Sequence, residues 1–167
     1  MNKSNDFRGH VAEAVKTLQI PESNFWLVSL YQYEDILVSI LNEFTDLGNK
    51  GLNCGWWWND FNQPKASFHL AYPPGILEQL IPPEEIVWFI PEDSFYQKQN
   101  GLHWVYEGKL KTVVAVIGEM YAFEYYIASK KFKWLLGETH HDVLVGTGNY
   151  IVERIENYKT NRDSTEG

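Results

Sequence analysis

Three consecutive tryptophans, Trp56-Trp57-Trp58, constrain the fold more than any other feature of this chain. In a strand, neighbouring side chains point to opposite faces, so Trp57 opposes Trp56 and Trp58. In a helix the three spread over about 200° of the circumference. One core face absorbs all three in neither case. Two arrangements remain open. Either packed layers cover both faces of the element, or at least one indole borders a surface groove, with Asn59 and Asp60 adding polar contacts. The second arrangement makes Trp56, Trp57, Trp58 and Asp60 a candidate binding patch with at least one indole open to water.

The segments around the triplet alternate between helical and extended periods. Phe7, Val11, Val15 and Leu18 recur at helical spacing, with Ser4 or Asn5 as a cap and Pro21 as a stop. Residues 25–31 (FWLVSLY) form a β-prone run. Ile36, Leu37, Ile40, Leu41, Phe44 and Leu47 then make a helical stripe that Gly48 terminates. Strands are expected over 66–71, 85–90 (stopped by Pro91) and 103–106, helical turns over 74–81, and a polar loop over 92–101. Leu110, Val113, Val114, Ile117 and Tyr121 fit a helix, although the β-branched centre leaves a strand open. Residues 123–128 and 132–136 predict a hairpin about Ser129-Lys130-Lys131. Asn149 opens a last helix carrying Ile151, Val152, Ile155 and Tyr158.

These elements do not alternate as regular βαβ units. The expectation is α+β: a single domain over 1–158, built on an antiparallel or mixed β-sheet with helices packed mainly on one face. A polar tail over 159–167 should fray. A chain of 167 residues is long enough for its own core. That core depends on packing alone, because Cys54 is the only cysteine and no internal disulfide can form. The opening MNKSNDFRGH lacks the apolar run of a signal peptide, and no apolar stretch approaches bilayer length, so the expected compartment is the cytoplasm with no membrane partner.

Charge and motif content then exclude several functions. The net charge of −8 repels nucleic-acid phosphates and favours a basic protein partner or simple solubility. Lys130, Lys131 and Lys133 cluster with Lys109 and Lys111 upstream. They lack the broad basic surface of a nucleic-acid reader, so a solvated turn is expected. There is no phosphate loop, nucleophile elbow or H-E-x-x-H pair. Gly146-Thr147-Gly148 begins like a dinucleotide turn, but Ile151 stands where the third glycine belongs. No cofactor and no metal are expected. Cys54 is expected to be an inert small hydrophobe.

The densest titratable run is Glu138-Thr139-His140-His141-Asp142. Adjacent histidines diverge, so a metal would need ligands from elsewhere, such as His69 or His103. A histidine beside a carboxylate suits acid–base chemistry, which makes Glu138, His140 and Asp142 the catalytic candidates and His140 and His141 candidate binding residues. If the alternation of Phe132, Trp134 and Leu136 continues, Glu138, His140 and Asp142 share one face and line a cleft at the sheet end. If Gly137 ends the strand or permits a bulge, the three residues cap a turn instead.

The stretch FEYYIASKKFKWLLGETHHDVLVGTG resembles a family of uncharacterised bacterial domains with Tyr-Tyr-Ile, Trp-Leu-Leu and His-His-Asp in succession. It covers about the last quarter of the chain, and the resemblance implies no activity. More loosely, a small, acidic, aromatic-rich α+β domain is similar to bacterial immunity proteins of the SUKH type, although the Asn-Gly-Gly loop expected there is missing. The resulting expectation is a non-enzymatic, immunity-like protein that binds a basic partner. The alternative is a small hydrolase-like enzyme built on residues 138–142. The sequence does not set an oligomeric state.

Overall fold

The central strands are buried on both faces. This requires two covering layers, and the apolar runs of the sequence supply them. The computed structural model describes residues 7–93, 103–120 and 123–166, the last three in backbone only. Strands β1 (Phe25–Leu27), β2 (Lys65–His69), β3 (Ile86–Pro91), β4 (Tyr106–Lys109), β5 (Tyr125–Ser129), β6 (Leu135–Glu138) and β7 (Val143–Thr147) form one sheet. Its order is β1-β4-β3-β5-β6-β7-β2, and every pairing is antiparallel. Every residue of β5 is buried, as is all of β3 after Ile86. The α+β expectation holds.

On one face Val87, Phe89, Tyr125, Ile127, Leu136 and Leu144 meet apolar residues of four helices. These are α1 (Phe7–Thr17), α3 (Leu77–Leu80), α4 (Leu110–Glu119) and α5 (Asn149–Glu166). On the other face Trp88, Ile90, Tyr126, Ala128 and Leu135 meet α2 (Tyr33–Phe44) and the 3-10 turn Trp57–Asp60. Among the described residues, four of the five α-helices thus share a face. The second layer is thinner, and the tryptophan triplet belongs to it.

Several expected boundaries move. β1 stops at Leu27, because Gln32 and Tyr33 donate their N–H groups to the Ser29 carbonyl and the chain turns into α2. Thr45, not Gly48, ends α2: it is extended, its hydroxyl donates to the Leu41 carbonyl at 2.7 Å, and the Leu47 N–H donates back to it at 3.1 Å. Residues 110–119 are helical, which resolves that alternative. Their buried Leu110, Val113, Val116 and Ile117 follow a helical stripe. The strand expected over 103–106 begins at Tyr106, with His103 making one isolated bridge to Glu92. Where a fraying tail is expected from residue 159, the backbone is helical to Glu166. The caps suggested at Ser4 and Asn5, and most of the 92–101 loop, lie outside the described residues. No helix among those residues is long and apolar enough to cross a membrane.

Candidate functional site

Alternation along two neighbouring strands brings two glutamates together. In β3 Trp88 and Ile90 face α2, and the next residue of that parity is Glu92. In β5 Ala128 and Tyr126 do the same, and stepping back by two reaches Glu124. The strands are adjacent and antiparallel, and the Glu92 N–H donates to the Glu124 carbonyl at 2.9 Å. Two carboxylates side by side are unfavourable unless one holds a proton. Burial pushes the Glu92 carboxyl up to about 7, with the Glu124 charge and a hydrogen bond to Glu124 acting in the same direction and His140 opposing. Glu92 is nine-tenths buried, and its Oε2 has no hydrogen-bond partner among the described residues.

The triplet and the β6–β7 turn close over this pair. Trp56 adopts a left-handed backbone (φ 57°, ψ 43°), uncommon for a bulky residue and costing about 1–3 kcal/mol. That conformation lets adjacent indoles diverge. Trp57 is fully buried, donates to the Gly51 carbonyl at 2.8 Å and lies on Tyr126 with ring centroids 4.8 Å apart. Trp56 remains 51% exposed and donates from Nε1 to Glu124 Oε2 at 3.2 Å. Trp58 is half-buried, and its N–H donates to the Tyr126 hydroxyl. Both alternatives for the triplet are therefore realised, the packed layer by Trp57 and the open indole by Trp56. Gly55 makes the approach possible, since a Cβ there would lie 2.8 Å from Glu92 Oε1.

His140 completes the arrangement. Its backbone N–H donates to Glu124 Oε1 at 3.1 Å, and its Nδ1 lies 2.9 Å from the same oxygen. The ring sits 5.4 Å from the Trp56 ring and 3.9 Å from His141. His103 is fully buried, its ring centroid 4.2 Å from that of Trp57.

The expected alignment of Glu138, His140 and Asp142 on one face is corrected by the turn. Thr139 donates to the Val143 carbonyl, Asp142 to the Thr139 carbonyl, and Asp142 is left-handed at φ 58°. This is a three-residue hairpin loop closed by a left-handed residue, in which strand parity no longer applies. Glu138 stays on the four-helix face, where the Tyr125 hydroxyl donates to it at 2.7 Å. His140 swings to the opposite face. Burial raises the Glu138 carboxyl, Tyr125 counters this, and the Asp142 charge adds to it. The row also fails earlier: Phe132 is left-handed and packs on Trp88, away from Trp134 and Leu136.

The other candidates are placed as follows. Asp60 is exposed at the end of the tryptophan turn, and His141 is exposed with its N–H donating to the Thr139 hydroxyl at 3.2 Å. Burial raises the Cys54 thiol, with the charges of Asp60 and Glu92 adding to it, so it is a poorer nucleophile than a free cysteine. His69 is exposed at the end of β2. Among the described residues no three His, Cys, Asp or Glu side chains come together as metal ligands. Glu92 and Glu124 are the site residues that the sequence analysis missed. Their signal is the parity of Ile90 and Tyr126, visible only once β3 is known to pair with β5.

Residues 3–159 match DUF6756, a family of unknown function, and the chain belongs to that family. No curated protein and no solved structure matches it. The comparisons give no support to the similarity with SUKH-type immunity proteins.

Proposed function

We propose that this chain is a non-enzymatic, immunity-like binding protein of the bacterial cytoplasm that holds a basic protein partner at the acidic, aromatic end of its sheet. The supporting observation is the half-exposed Trp56 indole, fixed by its hydrogen bond to Glu124 directly beside buried Glu92. An open aromatic face next to two carboxyl groups suits a cationic side chain. The net charge of −8 would steer a basic partner toward the chain.

Immobilised wild type should capture a basic protein stoichiometrically from a lysate of the source cell. Trp56→Ala and Glu124→Gln should each lose it. Equal capture by all three proteins would defeat the reading. A second reading, a small hydrolase-like enzyme, is favoured by one observation: a carboxyl titrating near 7 beside His140 can deliver a proton at neutral pH. It would rest on Glu92, Glu124 and His140 rather than on Glu138 and Asp142. Hydrolysis of an ester or glycoside panel that disappears in Glu92→Gln, with no captured protein, would favour it.

A further inference from the structure

Resting on the binding reading above, we propose that the Glu92–Glu124 pair is a receptor for a guanidinium group: an arginine side chain of the partner stacks on Trp56, bridges the two carboxylates and replaces the proton they share. The argument begins with an imbalance. Glu92 Oε2 is buried with no hydrogen-bond partner among the described residues, and a neighbouring acid, Asp93, leaves its Oδ1 in the same state. Such atoms carry a desolvation cost that a donor would relieve. Among the described residues, His140 is the only basic side chain within ion-pair distance of the pair.

The shape selects the donor. Glu124 already accepts from Trp56 and His140, yet it keeps 19% of its side chain exposed, so the pair is reached from solvent through Glu124. A planar guanidinium offers five N–H donors in a fork and stacks on an indole face, whereas an ammonium is a compact, strongly hydrated point charge. The groups facing Glu92 are Glu124 from the start of β5, His140 from the β6–β7 turn, Cys54 from the loop before Trp56, and the Tyr126 hydroxyl from β5. Three of the four are acids, and the Glu124 charge and hydrogen bond help keep Glu92 protonated. Binding a cation reverses that balance: the proton leaves Glu92 for solvent, and one positive charge is exchanged for another. Affinity should therefore rise with pH. Glu92 titrates at about 7, so it is about a tenth ionised at pH 6 and about nine-tenths at pH 8, and affinity scales with that fraction.

The test follows the Trp56 Nε1–H and His140 ring signals by NMR while acetyl-Gly-Arg-Gly-amide is added to the full chain. A saturable shift is expected, with binding about tenfold tighter at pH 8 than at pH 6. The lysine peptide should bind more weakly than the arginine peptide, and the pH dependence should vanish in Glu92→Gln. The proposal is overturned by no saturable shift, by equal affinity at the two pH values, or by a lysine peptide that binds as well. A pH dependence that survives in Glu92→Gln also overturns it, because the exchanged proton would then not be the one on Glu92. Should Glu92→Gln fail to fold, calorimetry of wild type in two buffers of different ionisation heat counts the protons: about one released per peptide at pH 6 is expected, and none overturns the proposal. If Trp56→Ala loses a captured basic protein while wild type ignores the arginine peptide, this inference fails alone and the binding reading stands. If neither result appears, both fail.

Discussion

The two ends of the sheet are charged oppositely and built differently. At one end lie Lys65, Lys109, Lys130, Lys131 and Lys133, near the end of β7 and the start of α5. Lys109 and Lys111 pair with Glu84, and Lys130 pairs with Glu107. These lysines are at least one-third exposed, and the hollow of about 710 Å³ that Lys130, Lys131 and Lys133 line also contains Glu43 and Glu85. At the other end, Glu92, Asp93 and His103 are buried and Glu124 nearly so. Exposed, neutralised charges cost a fold little. Buried acids without full partners cost it several kcal/mol, and a chain that carries them at one end has given up stability there. That asymmetry, more than the count of charges, distinguishes a solvated turn from a site.

The largest test of the comparison removes the aromatic support of the acidic end. Trp57 is fully buried between α2 and Tyr126, so Trp57→Ala should cost about 3–5 kcal/mol through lost burial and a residual cavity. Lys131→Ala at the other end should stay within about 0.5 kcal/mol. Urea denaturation of both variants measures the contrast. Comparable losses would mean that the ends do not differ in the way described.

Glu92→Gln sharpens the same contrast through pH. The folded-state value near 7 lies above the ordinary 4.5, so the unfolded chain ionises first as pH rises, and wild-type stability falls between these values. At pH 8 the buried charge costs up to roughly 3 kcal/mol, and at pH 4 almost nothing. The glutamine variant should therefore be about 1–3 kcal/mol more stable than wild type at pH 8 and nearly equal to it at pH 4. Denaturation midpoints at the two values check this. A variant destabilised at pH 8 would show that Glu92 is satisfied as an anion.

How much of this was legible beforehand depends on the range of the interactions. The stripe of Leu37, Ile40, Leu41 and Phe44 announced α2, because a helix repeats its own face within a few residues. The Trp56–Trp58 triplet shows, for the same local reason, that one core face cannot hold all three indoles, and leaves open a second covered face or an open indole. Glu92 and Glu124 were silent. Their meeting depends on β5 inserting beside β3 after β4 and α4 have intervened, and no periodicity encodes that sheet order. The 138–142 cluster is legible as a cluster, but of its two readings, a shared face and a turn, the shared face fails. Its parity was carried through a turn whose left-handed Asp142 sends His140 to the opposite face from Glu138.

A smaller effect is expected across the sheet from the pair. Tyr125→Phe removes the hydroxyl that donates to Glu138, leaving a half-buried carboxylate with one partner fewer. The loss should be about 1 kcal/mol at pH 8. It should shrink toward pH 4, because the Glu138 carboxyl is raised above its ordinary value and neutralises there without the hydroxyl's help. Stability curves for the two proteins at both pH values decide it. A loss that does not depend on pH would mean that ring packing, not the hydrogen bond, carries the contribution.

The smallest effect belongs to the lysine end. Glu84 stands between Lys109 and Lys111, and hydrogen bonds to Lys111 and then Lys109 hold its carboxyl below the ordinary 4.5. A lowered carboxylate contributes stability that is present above the unfolded value and is lost as pH falls through the folded one. Here, however, the carboxylate is 62% exposed, and water and salt screen such a pair over about 8–10 Å at physiological ionic strength. Glu84→Gln should therefore unfold at the wild-type midpoint at about 0.15 M salt. A small deficit should emerge only at low ionic strength and above about pH 4.5. Melting curves at two salt concentrations test it. A loss that salt does not reduce would place Glu84 in a rigid, desolvated network. The lysine end would then be as costly and as organised as the acidic one, and the contrast between them would no longer mark either as the site.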